Sequence, residues 1–264
     1  MRKSPYNVDI KMTKYHRYTY LKENRIQTIS NTVTKAISNE KFNKDAVVNS
    51  IINNIGNCKN YRYVNIRNEV DLSSPNAKQL LSQKILELWD YECKRGTRAH
   101  EACEDWINDE IYPIDDEMKK YVDYLKVYLK DQKDKGFIPV HTELRVLDTE
   151  LTTSYTVNPG IAGTVDLILY NEKDKIYKMV DFKTTESVSD EKQLKWMHQL
   201  GMYHLIILRG ERILGLIENM NYSADELSIF VMKENGVREI QYRSIDCLTK
   251  LNGKIVDRKY FVGL

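Results

Sequence analysis

The chain has 264 residues, 42% apolar and 30% charged, with a formal net charge of +2. That is enough for one large core, or one core with a helical appendage, and the composition fits a soluble globular protein. No apolar run reaches the length of a membrane span, the basic N-terminus lacks the apolar stretch of a secretion signal, and the near-neutral charge means that any polyanion-binding surface has to be local.

Residues 1 to about 30 are polar and tyrosine-rich without a clear period, and read as an arm or irregular segment. Val47, Val48, Ile51, Ile52 and Ile55 stand at helical spacing from Asp45 to Ile55, with Gly56 as a stop. Ser74-Pro75 reads as an N-cap and first helical residue. The stripe that follows is Leu80, Leu81, Ile85, Leu88 and Trp89. Gly96-Thr97 is expected to break that helix and cap the next, from Arg98 to about Ile111. A further helix spans about Asp116 to Lys133, with Met118, Tyr121, Val122, Leu125, Tyr128 and Leu129 inward and Gly136 closing it.

After Gly136 the period changes from helical to alternating. Pro139–Leu147, Ser154–Val157, Ile161–Tyr170 and Ile176–Lys183 read as strands, the last two joined by five polar residues in a hairpin-length connection. Ser189 caps a helix to about Leu208, and Ile213–Ile217, Leu227–Lys233 and Val237–Tyr242 read as further strands. The order predicts an α/β or α+β core with a helical N-terminal lobe. The four cysteines (Cys58, Cys93, Cys103, Cys247) are scattered without a CxxC pair, so reduced, mostly buried thiols are expected and an iron–sulfur cluster is not.

The chemistry concentrates between Gly160 and Tyr203. Asp166 and Asp181 each interrupt an apolar strand, where an unpaired carboxylate is costly. Lys183, two residues after Asp181, shares its face of the strand. Two carboxylates and a lysine on neighbouring strands suit a divalent metal beside a cation, the arrangement that cuts a phosphodiester. Alone, a DxK pair is a weak motif and reads as a surface ion pair.

The ordered set Gly163-Thr164-Val165-Asp166, Asp181-Phe182-Lys183-Thr184 and Gln199-Leu200-Gly201-Met202-Tyr203 strengthens it. Together these resemble the G-x-x-D, D-F-K-T and Q-x-x-x-Y motifs of the PD-(D/E)XK nuclease superfamily, and in particular its RecB-like exonuclease branch, which includes phage, viral and mitochondrial genome maintenance exonucleases. Gly96-Thr97-Arg98-Ala99-His100-Glu101 is similar to the G-T-x-x-H-E helix that often precedes the core in that branch. The resemblance covers residues 96 to 207.

The resemblance implies a restriction-endonuclease-like mixed sheet flanked by helices, with an N-terminal arm and helical lobe over residues 1–95 and the nuclease core over 96–264. It implies one or two Mg²⁺ or Mn²⁺ ions held by His100, Asp166, Asp181 and the backbone carbonyl of Phe182, with Asp166, Asp181 and Lys183 as the catalytic set. Glu104 and Glu143 would support the site, and Thr184, Gln199 and Tyr203 would contact substrate. The implied activity is a DNA exonuclease working on single strands or DNA ends in recombination, repair or replication. A helicase or a single-strand-binding protein is a candidate partner, and a membrane is not. An intracellular place follows, in a bacterium or a virus- or phage-infected cell, with a mitochondrial one left open. The alternatives are an endonuclease of the same superfamily, acting on DNA or RNA, and a catalytically inactive nucleic-acid-binding scaffold. The survival of Asp166, Asp181 and Lys183 argues against the scaffold.

Overall fold

The fold is that of a computed structural model, which describes residues 10–13, 17–22, 25–29, 31–38, 43–156, 158–210 and 226–251. The chain forms two compact units, one of Met1–Asn39 with Ala99–Leu264 and one of Glu40–Arg98.

The larger unit opens with strands where an irregular arm was expected. Strands β1 (Ile10–Met12), β2 (Tyr18–Lys22) and β3 (Arg25–Ile29) form an antiparallel sheet in that order. They are too short to show a period. Their order comes from burying Ile10, Tyr18 and Ile29 against Leu147 and Ala162, far along the chain. Helix α1 (Val33–Ile37) follows, its N-terminus capped by the Thr32 hydroxyl, which accepts from the Lys35 N–H.

The smaller unit is helical. Helix α2 (Lys44–Asn53) is capped by Asn43 and runs into a 3₁₀ turn, Ile55–Asn57, that contains Gly56. Helix α3 (Tyr61–Asn68), unforeseen in the sequence, is capped by Asn60. These elements bury Val48, Ile55, Ile66 and Val70 against Ala77, Leu81 and Ile85 of the helix that follows. Leu80, expected inside, is 43% exposed, while Leu81, Ile85, Leu88 and Trp89 pack inward as expected.

Helix α4 (Ala77–Asp109) passes unbroken through Gly96-Thr97, against expectation. An interior glycine costs a helix only about 1 kcal/mol, and Thr97 turns its hydroxyl back to the Cys93 carbonyl, 3.3 Å away, instead of capping a new helix. Beyond it Ala99 and Cys103 are buried. Helix α5 (Asp116–Asp134) is capped by Asp115 and buries Met118, Tyr121, Val122, Leu125 and Tyr128, with Leu129 packed at the margin. Gly136, at φ +89°, ends it in a left-handed turn.

The main sheet takes β4 (Phe137–Asp148), β5 (Ile161–Asn171), β6 (Ile176–Thr184), β7 (Glu226–Lys233) and β8 (Gly236–Arg243) in that order. All neighbours are antiparallel except β6 and β7, which are parallel and connected through α6 (Asp190–Gly210). Helix α7 (Ser244–Leu251) closes the described chain. The expected strand at Ser154–Val157 is absent over its described residues. Thr153 and Thr156 bond to each other in a local turn there, and Val157, like Ile213–Ile217, lies outside the described residues. Helix α6 covers one face, where Val165, Ile168 and Met179 meet Leu200, Tyr203 and Ile207. The α4 end and α5 cover the other, where Leu167, Val180 and Phe182 meet Ala99, Cys103 and Leu125. This is the mixed, helix-flanked α+β sheet of a restriction-endonuclease-like fold. Cys103 and Cys247 are buried, whereas Cys58 is half-buried and Cys93 exposed. No helix of the described residues is long and apolar enough to cross a membrane.

Candidate active site

The main sheet forks. Strands β5 and β6 pair only from Leu167↔Val180 to Asn171↔Ile176. Beyond that point β6 stays with β7, pairing Asp181 with Ile229 and Lys183 with Val231. The first half of β5 stays with β4. Asp166 and Asp181 are the first residues past the last rung, one on each arm. The gap between the arms is bridged by side chain: Asp166 Oδ2 accepts the Phe182 N–H at 2.6 Å. That bond satisfies the Phe182 donor just where the pairing of β5 with β6 stops.

Strand β5 also turns over at Asp166. Residues two apart on a strand share a face, yet Val165 packs in the α6 core and Leu167 in the α4–α5 core. The partner strand reverses at the matching place. Thr142 bonds Asn108 of α4, whereas Leu144 packs toward α6. Between them Glu143 takes φ +47°, a costly conformation for a side-chain-bearing residue and one that concentrates at functional sites. The reversal presents Glu143 and Asp166 together to α4.

Helix α4 brings His100 there. Its Nδ1 lies 3.4 Å from Asp166 Oδ1, and its ring meets the Phe182 ring edge-on at 5.8 Å. Ligand atoms of His100, Glu143 and Asp166 all fall within 4.8 Å of one another. One imidazole nitrogen and two carboxylates form a donor set that could hold a divalent cation. On the β6 arm, Lys183 forms an ion pair with Asp181 Oδ2. Gln199 of α6 donates to Asp181 Oδ1 at 3.1 Å and bonds the Tyr203 hydroxyl at 3.1 Å; their i, i+4 spacing sets both on one helix face.

The electrostatics match a site built for a cation. Burial and the neighbouring charges of Asp166 and Glu104 push the Glu143 carboxyl up to about 8. Burial pushes Asp181 up to about 6, with Lys183 opposing and Asp166 adding to the rise. Burial also penalises the Asp166 charge, but His100, Lys183 and the Phe182 N–H outweigh it and hold that carboxyl below its ordinary range. His100 is raised because Asp166 outweighs its burial. Carboxylates crowded enough to repel one another's ionisation are the groups a dication would satisfy.

Comparison with known proteins places the chain. The family model of the PD-(D/E)XK nuclease superfamily matches residues 61–252.

The chain belongs to the PD-(D/E)XK nuclease superfamily.

Members of this superfamily are divalent-metal-dependent nucleases, so the coarse assignment is a metal-dependent nuclease acting on nucleic acid. Among solved structures, that of SSO0001 is similar over 60% of this chain and 68% of its own, at 14% identity and a TM-score of 0.31, too slight a likeness to carry argument. No curated protein matches.

Of the residues expected at the nuclease site, the fold gathers His100, Glu143 and Asp166 in one cluster and Asp181, Lys183, Gln199 and Tyr203 in one bonded chain. Phe182 meets the site through its N–H and its ring. Glu104, one turn from His100, reaches it electrostatically and accepts from the Asn108 amide at 3.4 Å. Thr184 is half-buried at the end of β6, opposite Met232. Asn108 and Thr142 were not foreseen. The Thr142 hydroxyl donates to Asn108 Oδ1 at 2.9 Å, linking β4 to Glu104. The helical spacing of His100, Glu104 and Asn108 carried that signal.

Gly163 shows how tightly the motif is packed. A Cβ there would stand 2.4 Å from Tyr203 Cε1 and 2.9 Å from Val33 Cγ2. Gly163→Ala is therefore expected to lower stability by about 1–3 kcal/mol and to displace the Tyr203–Gln199 pair. Denaturant unfolding beside a cleavage assay checks this; a variant as stable and active as wild type would show that the ring yields freely.

Proposed function

We propose that this nuclease is a RecB-like DNA exonuclease, using Mg²⁺ or Mn²⁺ to hydrolyse phosphodiester bonds at the ends of DNA or along single strands. The observation that supports it best is the fork. The His100, Glu143 and Asp166 donors converge on one arm, the Asp181–Lys183 pair stands on the other, and Gln199 and Tyr203 are tied to Asp181. In this reading His100, Asp166 and Asp181 hold the ion, with the Phe182 carbonyl beside them and Glu143 and Glu104 in support. When bound, the ion supplies positive charge that polarises the phosphate and activates water. Asp181 holds the Lys183 ammonium where charge develops on the phosphate. Gln199 holds the other Asp181 oxygen and so fixes the orientation of the carboxylate. Tyr203, buried, pinned by Gln199 and packed on Gly163, would brace Asp181 from the core, and Thr184 at the end of β6 would line the path of the nucleic-acid backbone.

The test uses end-labelled linear single-stranded DNA, linear duplex and covalently closed circular single-stranded DNA, each with Mg²⁺ or Mn²⁺. Degradation of linear substrates with circles spared is the expected result, and the label position gives the direction. Cutting of the circle would replace this reading with an endonuclease. Cutting of RNA alone would move the substrate class.

A further inference from the structure

We propose that Tyr18 of the N-terminal sheet is a positioning residue for the metal centre, its hydroxyl bonded to Thr164 and fixing the β5 segment that carries Asp166. The inference rests on reading the fork as a metal site and adds an element outside the superfamily motifs.

Where β6 leaves β5, another segment takes the vacated edge. Thr32 forms a parallel bridge with Ala162, the Ala162 N–H donates to the Asn31 carbonyl at 3.0 Å, and the Asn31 amide bonds the carbonyls of Asn158 and Gly160. Just before this segment, β1 to β3 lie against the β4–β5 arm through Ile10, Tyr18, Ile29, Leu147 and Ala162. From that sheet come two polar tethers. The Tyr18 hydroxyl lies 3.0 Å from Thr164 Oγ1, and Arg145 Nη1 donates to the Ile10 carbonyl at 2.9 Å.

The positions of these tethers matter more than their number. Thr164 is two residues before Asp166, and Arg145 two residues after Glu143. Each tether therefore grips one of the two strands beside the point where it turns over. A left-handed Glu143 persists only where its surroundings over-determine it, and the N-terminal sheet supplies that constraint on both strands. Tyr18 is 4% exposed, so packing fixes its ring and holds the hydroxyl against Thr164. Its ionisation is raised by burial and responds to Glu143, Arg145 and Asp166, as expected for a group facing the same cluster.

The experiment is Mn²⁺ binding, by calorimetry and by electron paramagnetic resonance, to full-length wild type, Tyr18→Phe, Thr164→Val and the double variant, with Asp166→Asn as control. Tyr18→Phe keeps the ring and its packing; Thr164→Val breaks the same bond from the other side. Each single variant is expected to bind Mn²⁺ roughly 10-fold more weakly at a nearly unchanged melting temperature, and the double variant no more weakly than either, since one bond is lost in all three. Wild-type Mn²⁺ affinity in Tyr18→Phe, with Asp166→Asn impaired, would overturn the role of Tyr18 and leave the metal site standing. Losses that add in the double variant, or that follow a fall in melting temperature, would also overturn it. Binding indifferent to Asp166→Asn would remove the metal-site reading itself.

Discussion

Lys183→Ala and Asp181→Ala each lower cleavage by roughly 1,000-fold or more while the fold survives. The two side chains answer each other across one ion pair on the β6 arm. Lys183 and His100 both favour the charged form of Asp166 and of Asp181, and of the two Lys183 acts more strongly on Asp181. Removing Lys183 would take away the countercharge proposed for the phosphate and allow the Asp181 carboxyl, already pushed up to about 6, to rise further. Removing Asp181 frees both Lys183 and Gln199 from their common anchor. Neither change empties the core, because β6 is held here by backbone pairing to β7, which side-chain loss leaves in place. Cleavage rates at saturating substrate, beside circular dichroism melts, check both halves. Full activity in either variant would sink the assignment of these residues.

The second large effect lies at the far end of the same strand. Lys178 is 1% exposed, its ammonium held by Glu226 at 3.0 Å, Glu239 at 3.2 Å and Gln132 Oε1 at 2.9 Å. Glu239→Gln is expected to destabilise the protein by about 2–3 kcal/mol, less than the full cost of stranding a buried charge because Glu226 remains. Adding Lys178→Met should recover part of that loss, since the stranded ammonium is then gone. Chemical denaturation of the two single variants and the double closes the cycle; strictly additive losses would show that the pair is not coupled. The pH dependence has a definite sign. Burial opposes the Glu239 charge, but Lys178, Ser228 and Tyr128 outweigh it and lower its pKa below the ordinary 4.5. Its contribution is therefore present above about 4.5 and lost as pH falls through the folded value. The gap between wild type and Glu239→Gln should narrow on acidification.

These two ends of β6 show what was legible in the sequence. The runs that became β4, β5 and β6 alternate or stay apolar over nine to twelve residues, and the carboxylates that interrupt them stand out against that background. The order of the three motifs then placed Asp166, Asp181, Lys183, Gln199 and Tyr203 near one another, and they are. What escaped depends on distant contacts. Strands β1 to β3 are three to five residues long and exist by packing on Leu147 and Ala162. Tyr18 and Thr164 are 146 residues apart, with nothing local to pair them. Gly96-Thr97 looked like a helix end because both residues favour one, but the packing of Ala99 and Cys103 outweighs a small local cost. The reversal at Glu143 and Asp166 breaks the period of two that identified the strands, and it is what brings His100, Glu143 and Asp166 into one cluster.

The most direct test of the central claim is cleavage of labelled linear single-stranded DNA by wild type and Asp166→Asn, with Mg²⁺ or Mn²⁺ and again with excess EDTA. Cleavage by wild type that needs the metal, together with its loss in a folded Asp166→Asn, is the predicted result. Cleavage that persists in EDTA, or that Asp166→Asn leaves undiminished, would contradict a metal-dependent nuclease centred on this fork.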